Sequence, residues 1–124
     1  PDTANVLPKV FNFSLEVNAR ELLATLARVS LLSVDDVVKL VMTEDEVGVF
    51  SRSSTKGDAN EKIQTFQYSG ERLEISFHAQ FVADAVKALK SEDVRISFVG
   101  DRRPFVIKSC NDDTIYMIVT PLRS

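Results

Sequence analysis

The chain predicts an α+β fold of two pseudo-symmetric βαβββ units, with two helices packed on antiparallel sheets. Three observations carry this prediction. The stretch Leu15-Glu-Val-Asn-Ala-Arg-Glu-Leu-Leu-Ala-Thr-Leu26 recurs, roughly sixty residues on, as Ile75-Ser-Phe-His-Ala-Gln-Phe-Val-Ala-Asp-Ala-Val86. Each copy reads as a strand running into an amphipathic helix, and three β-rich runs follow each helix. A period that long in a chain of 124 residues gives two supersecondary units in one domain, because a solenoid needs about three or more repeats.

The first unit spans about 11–68. Phe11, Phe13, Leu15 and Val17 alternate with Asn12, Ser14 and Glu16, the period of a half-buried strand. Asn18 then caps a helix, and Glu21 completes a capping-box pattern. Leu22, Leu23, Leu26 and Val29 form the buried stripe, with Arg20, Ala24 and Arg28 on the other side. Val37 to Met42 and Val47 to Ser51 are strands joined by the polar turn Thr43-Glu-Asp-Glu46. A loop from Ser53 to Ala59 leads to a strand from Lys62 to Tyr68. That run places Ile63, Thr65 and Gln67 on one side and Gln64, Phe66 and Tyr68 on the other.

The second unit spans about 72–124, after a turn at Ser69-Gly70. Leu73, Ile75 and Phe77 alternate, and a helix follows from about His78 to Lys90. It buries Val82, Ala85, Val86 and Leu89 and turns Gln80, Asp84 and Lys87 outward. Val94 to Val99, Phe105 to Ser109 and Thr114 to Val119 are the closing strands. The two units make one domain over 11–124. Residues 1–10 read as a linker from a preceding domain, since proline-bearing polar stretches mark such boundaries.

Hydrophobic content of 44% and charged content of 27% fit a soluble globular domain. No apolar run approaches the roughly 18 residues of a membrane span. The single cysteine, Cys110, leaves no internal disulfide and fits a reducing compartment. With one His and one Cys a structural zinc site is not expected, and no cofactor is indicated. A net charge of −3 means that any nucleic-acid role needs a local basic face.

The candidates for chemistry are few. His78 has no nucleophile elbow around it and no HExxH-type spacing. Asp35-Asp36 and Asp112-Asp113 lie in turns, where Asp is favoured for bonds from its side chain to the backbone. Cys110 is a strand-end residue with no neighbour in sequence that would lower its pKa. No catalytic or metal-binding residue is assigned. The helices' outer stripes carry Arg20, Arg28, Lys87 and Lys90, a basic excess suited to tracking phosphates without reading bases. Ordinary solvated helix faces would look the same.

The order and spacing of several motifs resemble one family throughout the chain. They are Tyr68-Ser-Gly70, Leu73-Glu-Ile-Ser-Phe77, Phe81-Val-Ala-Asp-Ala-Val-Lys-Ala-Leu-Lys90, Asp93-Val-Arg95, Arg102-Arg-Pro-Phe-Val-Ile107 and the terminal Tyr116-Met-Ile-Val-Thr-Pro-Leu-Arg123. Together they resemble the third, C-terminal domain of the bacterial DNA polymerase III beta subunit, a sliding clamp. Pro1-Asp2 and Val6-Leu-Pro8 resemble that family's linker between its second and third domains.

The resemblance implies a processivity-clamp domain that does no chemistry. Three such domains form a subunit, and two subunits close head to tail around duplex DNA, which the ring encircles without sequence preference. The implied partners are DNA polymerase III subunits, the clamp loader and other replication and repair proteins, captured through short linear motifs. The implied setting is the bacterial cytoplasm, at the replisome, with no membrane. The implied peptide pocket gathers Pro1, Val6, His78, Phe81, Arg102, Pro104, Ile118, Val119, Thr120, Pro121, Leu122 and Arg123. The implied subunit interface uses Leu31, Leu32, Asp58 and Glu61, the two acids pairing with basic residues across the joint. Arg20, Arg28, Lys87 and Lys90 would face DNA. His78 departs from the family, which often has a small polar amide there. Asn5 stands where a basic residue is frequent, and Ser124 where the tail often ends in something larger. From the residues alone, Phe81 reads as core and the tail as a last strand. Two other functions fit the residues: a stand-alone peptide-binding adaptor without a DNA role, and a small hydrolase using His78.

Overall fold

The computed structural model describes residues 10–31, 33, 35–51, 60–112 and 114–122. Pro1, Val6, Leu32, Asp58 and Arg123, together with Asn5, Asp113 and Ser124, therefore lie outside the described residues. The elements run β1 (Phe13–Asn18), α1 (Ala19–Ser30), β2 (Val37–Met42), β3 (Val47–Ser51), β4 (Asn60–Ile63), β5 (Phe66–Ser69), β6 (Leu73–His78), α2 (Ala79–Leu89), β7 (Asp93–Phe98), β8 (Phe105–Ser109) and β9 (Tyr116–Val119).

Two antiparallel sheets result, one ordered β5-β1-β7-β8-β9 and the other β4-β3-β2-β6. The repeats exchange their first strands. β1 lies on β7 with Leu15 opposite Ile96, and β6 lies on β2 with Ile75 opposite Leu40. Neither repeat can therefore complete its sheet alone. Alternation sends Leu15 and Val17 of β1, and Leu73, Ile75 and Phe77 of β6, into one cluster shared with both helices. Leu22, Leu26 and Val29 of α1 and Val82, Ala85 and Val86 of α2 close it. Leu23, expected in the buried stripe, is only partly buried, and Thr25 is inside instead. A helix turns 3.6 residues per turn, so positions 22, 25, 26 and 29 share a face and position 23 does not.

The strand expected from Lys62 to Tyr68 is two strands. β4 ends at Ile63 in one sheet and β5 begins at Phe66 in the other. Ile63 and Tyr68 are both buried although their positions differ in parity. The bend at Gln64–Thr65 flips the inward face, which a single strand cannot do. The carboxylate of Glu21 accepts the N–H groups of Gln64 and Thr65 at 2.7 and 3.2 Å. Glu21 was expected to reach back to its own helix cap. Only half of that box forms, with the Glu21 N–H donating to Asn18 Oδ1 at 2.9 Å. The second repeat crosses over in the same way. Its chain leaves β9 at Val119, passes Thr120 and Pro121, and Leu122 bridges to Ser76 of β6.

β9 starts at Tyr116 rather than at Thr114. Asp112 Oδ1 accepts from the Thr114 N–H at 3.0 Å and from its hydroxyl at 2.6 Å, which turns the chain before the ladder begins. The Thr43–Glu46 turn is as expected, with the Thr43 N–H donating to the Glu46 carbonyl at 2.8 Å. Between the repeats Gly70 has φ +130, and a Cβ there would lie 2.9 Å from the Phe13 ring.

Candidate peptide-binding and interface surfaces

The N-terminus of α2 is built differently from that of α1, although the repeats align residue by residue there. In the first repeat Asn18 caps its own helix. In the second, His78 holds the capping position but makes no side-chain cap bond. Asp36, from the first repeat, caps in its place. Its carbonyl accepts the Ala79 N–H at 2.8 Å and its Oδ2 accepts the Gln80 N–H at 3.0 Å. The His78 imidazole instead meets Phe81 edge to face, with ring centroids 5.1 Å apart at 65°.

Phe81 is not core, for 57% of it is exposed. Its counterpart in the first repeat is Glu21, the residue that clamps the crossover there. The second repeat thus has no carboxylate at the place where Glu21 would reach its crossover. Thr120 is exposed there, whereas Pro121, expected in the peptide groove, is buried and has no N–H to offer. The tail is held by backbone pairing, with the Leu122 N–H donating to the Ser76 carbonyl at 2.8 Å, two residues before His78. α2 packs on β9, and the Leu122–Ser76 bridge brings the tail to within two residues of His78, which in turn meets Phe81. Ile118 is exposed and Pro104 is half-buried. Val119 departs from the expected groove. It is 6% exposed, lies opposite Phe105 and belongs to the core cluster, because it alternates with Ile118 along β9.

Arg102 sits exposed in the β7–β8 connection. It lines, with Leu122, a groove of about 940 Å³ on the outer face of the β4-β3-β2-β6 sheet. Val41, Gly48 and Phe50 also line it, none of which the sequence reading singled out. It shares only Arg102 and Leu122 with the expected peptide residues.

The basic stripe is weaker than its residue count. Arg20, Lys87 and Lys90 are exposed. Arg28 is occupied, its Nε lying 2.9 and 2.8 Å from the two Glu61 oxygens and its Nη2 lying 2.7 Å from Oε1. Both were expected to look outward, Arg28 to DNA and Glu61 to a neighbouring subunit, and each has the other as partner. The hydrogen bond from Arg28 holds the Glu61 carboxyl below its ordinary value and raises the guanidinium in turn. Ala24, read as outward, is half-buried. Leu31, just past α1, is 81% exposed. β4, which carries Glu61, is the edge of its sheet.

The remaining candidates settle into structural places. Asp35 Oδ1 accepts from the Ser33 hydroxyl at 3.2 Å and the Val37 N–H at 3.3 Å, a turn role. Burial, then the nearby Glu16 carboxylate, pushes the Cys110 thiol up, the opposite of activation. Among the described residues no group of three or more His, Cys, Asp or Glu comes together, and no helix is long and apolar enough to cross a membrane. Asp36 was read from the sequence as a turn residue; its capping of α2 was missed. Its signal was a histidine at a capping position, since His caps poorly and another group must then serve.

Residues 4–123 match the family described as the DNA polymerase III beta subunit, C-terminal domain. The chain is 36% identical over 128 residues to the beta sliding clamp of Bacillus subtilis strain 168, and 30% identical over 127 residues to that of Staphylococcus aureus strain Mu50. All of this chain is covered in both, but only 34% of each relative, so it spans about a third of their length. A crystal structure of the DNA polymerase sliding clamp from Bacillus subtilis superposes with a TM-score of 0.92, covering 100% of this chain and 34% of that one. The two helices and two exchanged sheets are thus the clamp-domain fold, and the chain belongs to the family of the C-terminal domain of the DNA polymerase III beta subunit.

Proposed function

We propose that this chain is the C-terminal domain of a DNA sliding clamp, and that it receives short linear motifs of the replicative polymerase and of repair proteins. Phe81 carries the reading. A phenylalanine 57% exposed at a helix start, edge to face with an imidazole that makes no hydrogen bond among the described residues, is an apolar anchor awaiting contact. The symmetry gives the reason for its place. The first repeat spends this position on Glu21 and closes its own crossover, while the second leaves the position apolar and open. A bound segment would lie across His78, Phe81, Ile118, Thr120 and Leu122, with Arg102 and Pro104 at the rim. Pro1, Val6 and Arg123 would complete the groove.

In the whole subunit two further domains would precede this one, with residues 1–10 as the linker. Two subunits would form the ring, meeting through Leu31, Leu32 and the β4 edge with Asp58 and Glu61. DNA would be held by topology in the cytoplasm. The helix faces would offer Arg20, Lys87 and Lys90 to phosphates, and the protein would do no chemistry.

Calorimetric titration with a short peptide carrying one glutamine followed by apolar anchors tests the pocket. Binding is expected in the micromolar range or weaker, and Phe81→Ala is expected to cost about 1–3 kcal/mol. Undiminished binding by folded Phe81→Ala places the pocket elsewhere.

A further inference from the structure

We infer that Asp36, a residue of the first repeat, is a positioning residue for the peptide site of the second. It caps α2 from outside and so frees the His78 ring to face a bound segment. The inference rests on the peptide-site reading above.

The two helix starts share one backbone device and differ in the other. Ala19 N–H donates to the Glu92 carbonyl at 2.8 Å, and Ala79 N–H donates to the Asp36 carbonyl at 2.8 Å. Glu92 and Asp36 thus occupy matching places, each just before the strand that pairs with the other repeat's first strand. Glu92 gives only its carbonyl. Asp36 gives its carboxylate as well, to the Gln80 N–H at 3.0 Å. In the first repeat the side chain that caps belongs to Asn18, and it is consumed in doing so.

The chain holds Asp36 at a conformational cost. Its φ is +63°, the left-handed region that a residue with a Cβ rarely adopts. The electrostatics favour it there. α2 has no acidic residue in its first turn, whereas α1 has Glu21, so Asp36 supplies the negative charge at that helix end. Removing the carboxylate releases the Gln80 N–H and invites His78 to turn inward as a cap. The His78–Phe81 edge contact is then lost, and with it the shape a peptide meets.

Three variants separate this role from general stabilisation. Asp36→Gly removes the carboxylate and suits the positive φ, so the fold is kept. Asp36→Asn keeps an acceptor. Asp36→Gly combined with His78→Asn restores a cap without the ring. The probe is the same glutamine-led apolar peptide, titrated by calorimetry, with the His78 ring protons followed by NMR. Asp36→Gly is expected to weaken binding about threefold to tenfold and to shift the His78 signals, while Asp36→Asn stays within about twofold of the parent. The double variant is expected to recover thermal stability but not peptide affinity. Parent-like binding and unshifted His78 signals in Asp36→Gly, with Phe81→Ala still impaired, would overturn the inference and leave the peptide site standing. A parent chain that does not bind the peptide overturns both.

Discussion

The carboxylate of Glu21 on α1 clamps the backbone of Gln64, accepting its N–H at 2.7 Å and that of Thr65 at 3.2 Å. These two donors sit where the chain leaves one sheet for the other and has no ladder partner. Glu21→Ala returns them to water, and the exposed bonds are charge-assisted, so a loss of about 1–2 kcal/mol is expected. Glu21→Gln keeps an uncharged acceptor and should lose less. Urea unfolding measures the stability. Amide hydrogen exchange should quicken at Gln64 and Thr65 before it quickens in the core. Unchanged exchange at those two amides would show that the clamp does not hold the crossover.

The same clamp shows what the sequence could and could not say. The paired strand-helix pattern gave the repeats, the helix stripes and most of the core, because periods of two and 3.6 are written in consecutive residues. The break at Gln64–Thr65 was hidden, since the residues on both sides of it are good strand formers and the bend is imposed by a side chain 43 positions earlier. Asp36 was hidden for the same reason, its partner Gln80 lying 44 positions away. The partnership of Arg28 and Glu61 needed the packing of α1 against β4, which no local pattern records. The exposure of Phe81 was legible only through the family resemblance, because Phe at the edge of a helix stripe is otherwise a core residue.

The Arg28–Glu61 pair sets a pH dependence. Glu61 titrates below its ordinary value of 4.5 in the folded chain, chiefly through the Arg28 hydrogen bond. A depressed folded value adds stability above the ordinary value, and that stability is lost as pH falls through the depressed one. Carbon-detected NMR titration should place the Glu61 carboxyl below 4.5, and Arg28→Ala should return it toward that value. Because both side chains are partly solvated, added salt should weaken the effect. A Glu61 titration indifferent to Arg28→Ala would mean that the pair does not persist in solution.

The isolated chain should be monomeric and should not hold DNA. In the proposed head-to-tail ring, Leu31 and the β4 edge meet a different domain of the neighbouring subunit, so two copies of this chain do not supply each other's partner surface. Sedimentation should give a species near 13.8 kDa. Arg20, Lys87 and Lys90, which make no ion pair among the described residues, would reach few phosphates, and each would contribute a logarithmic salt slope of only about 0.9. Fluorescence anisotropy with duplex DNA at physiological salt should show no binding. At low salt, Arg20→Ala should reduce any residual attraction more than Arg28→Ala, whose charge Glu61 already answers. Tight, sequence-dependent binding would sink the clamp reading.

Ile118 and Val119 are neighbours with opposite duties, and that makes them a sharp test of the tail. Ile118 points outward, 44% exposed, opposite Val106, while Val119 points into the core, 6% exposed, opposite Phe105. Ile118→Ala removes a half-exposed side chain and should cost about 1 kcal/mol of stability or less, well below the Val119→Ala loss. Its effect should fall on the peptide, where losing an apolar contact at the groove wall weakens binding by about 1 kcal/mol or more, roughly fivefold. Val119→Ala should do the reverse. It removes buried methyl groups and leaves a cavity, at about 1.5–3 kcal/mol of stability. Peptide affinity of the fraction that stays folded should change little. Urea unfolding and calorimetric titration on the two variants give the four numbers. If Val119→Ala proves the one that weakens peptide binding while Ile118→Ala is silent in both assays, the bound segment does not lie along the outward face of β9.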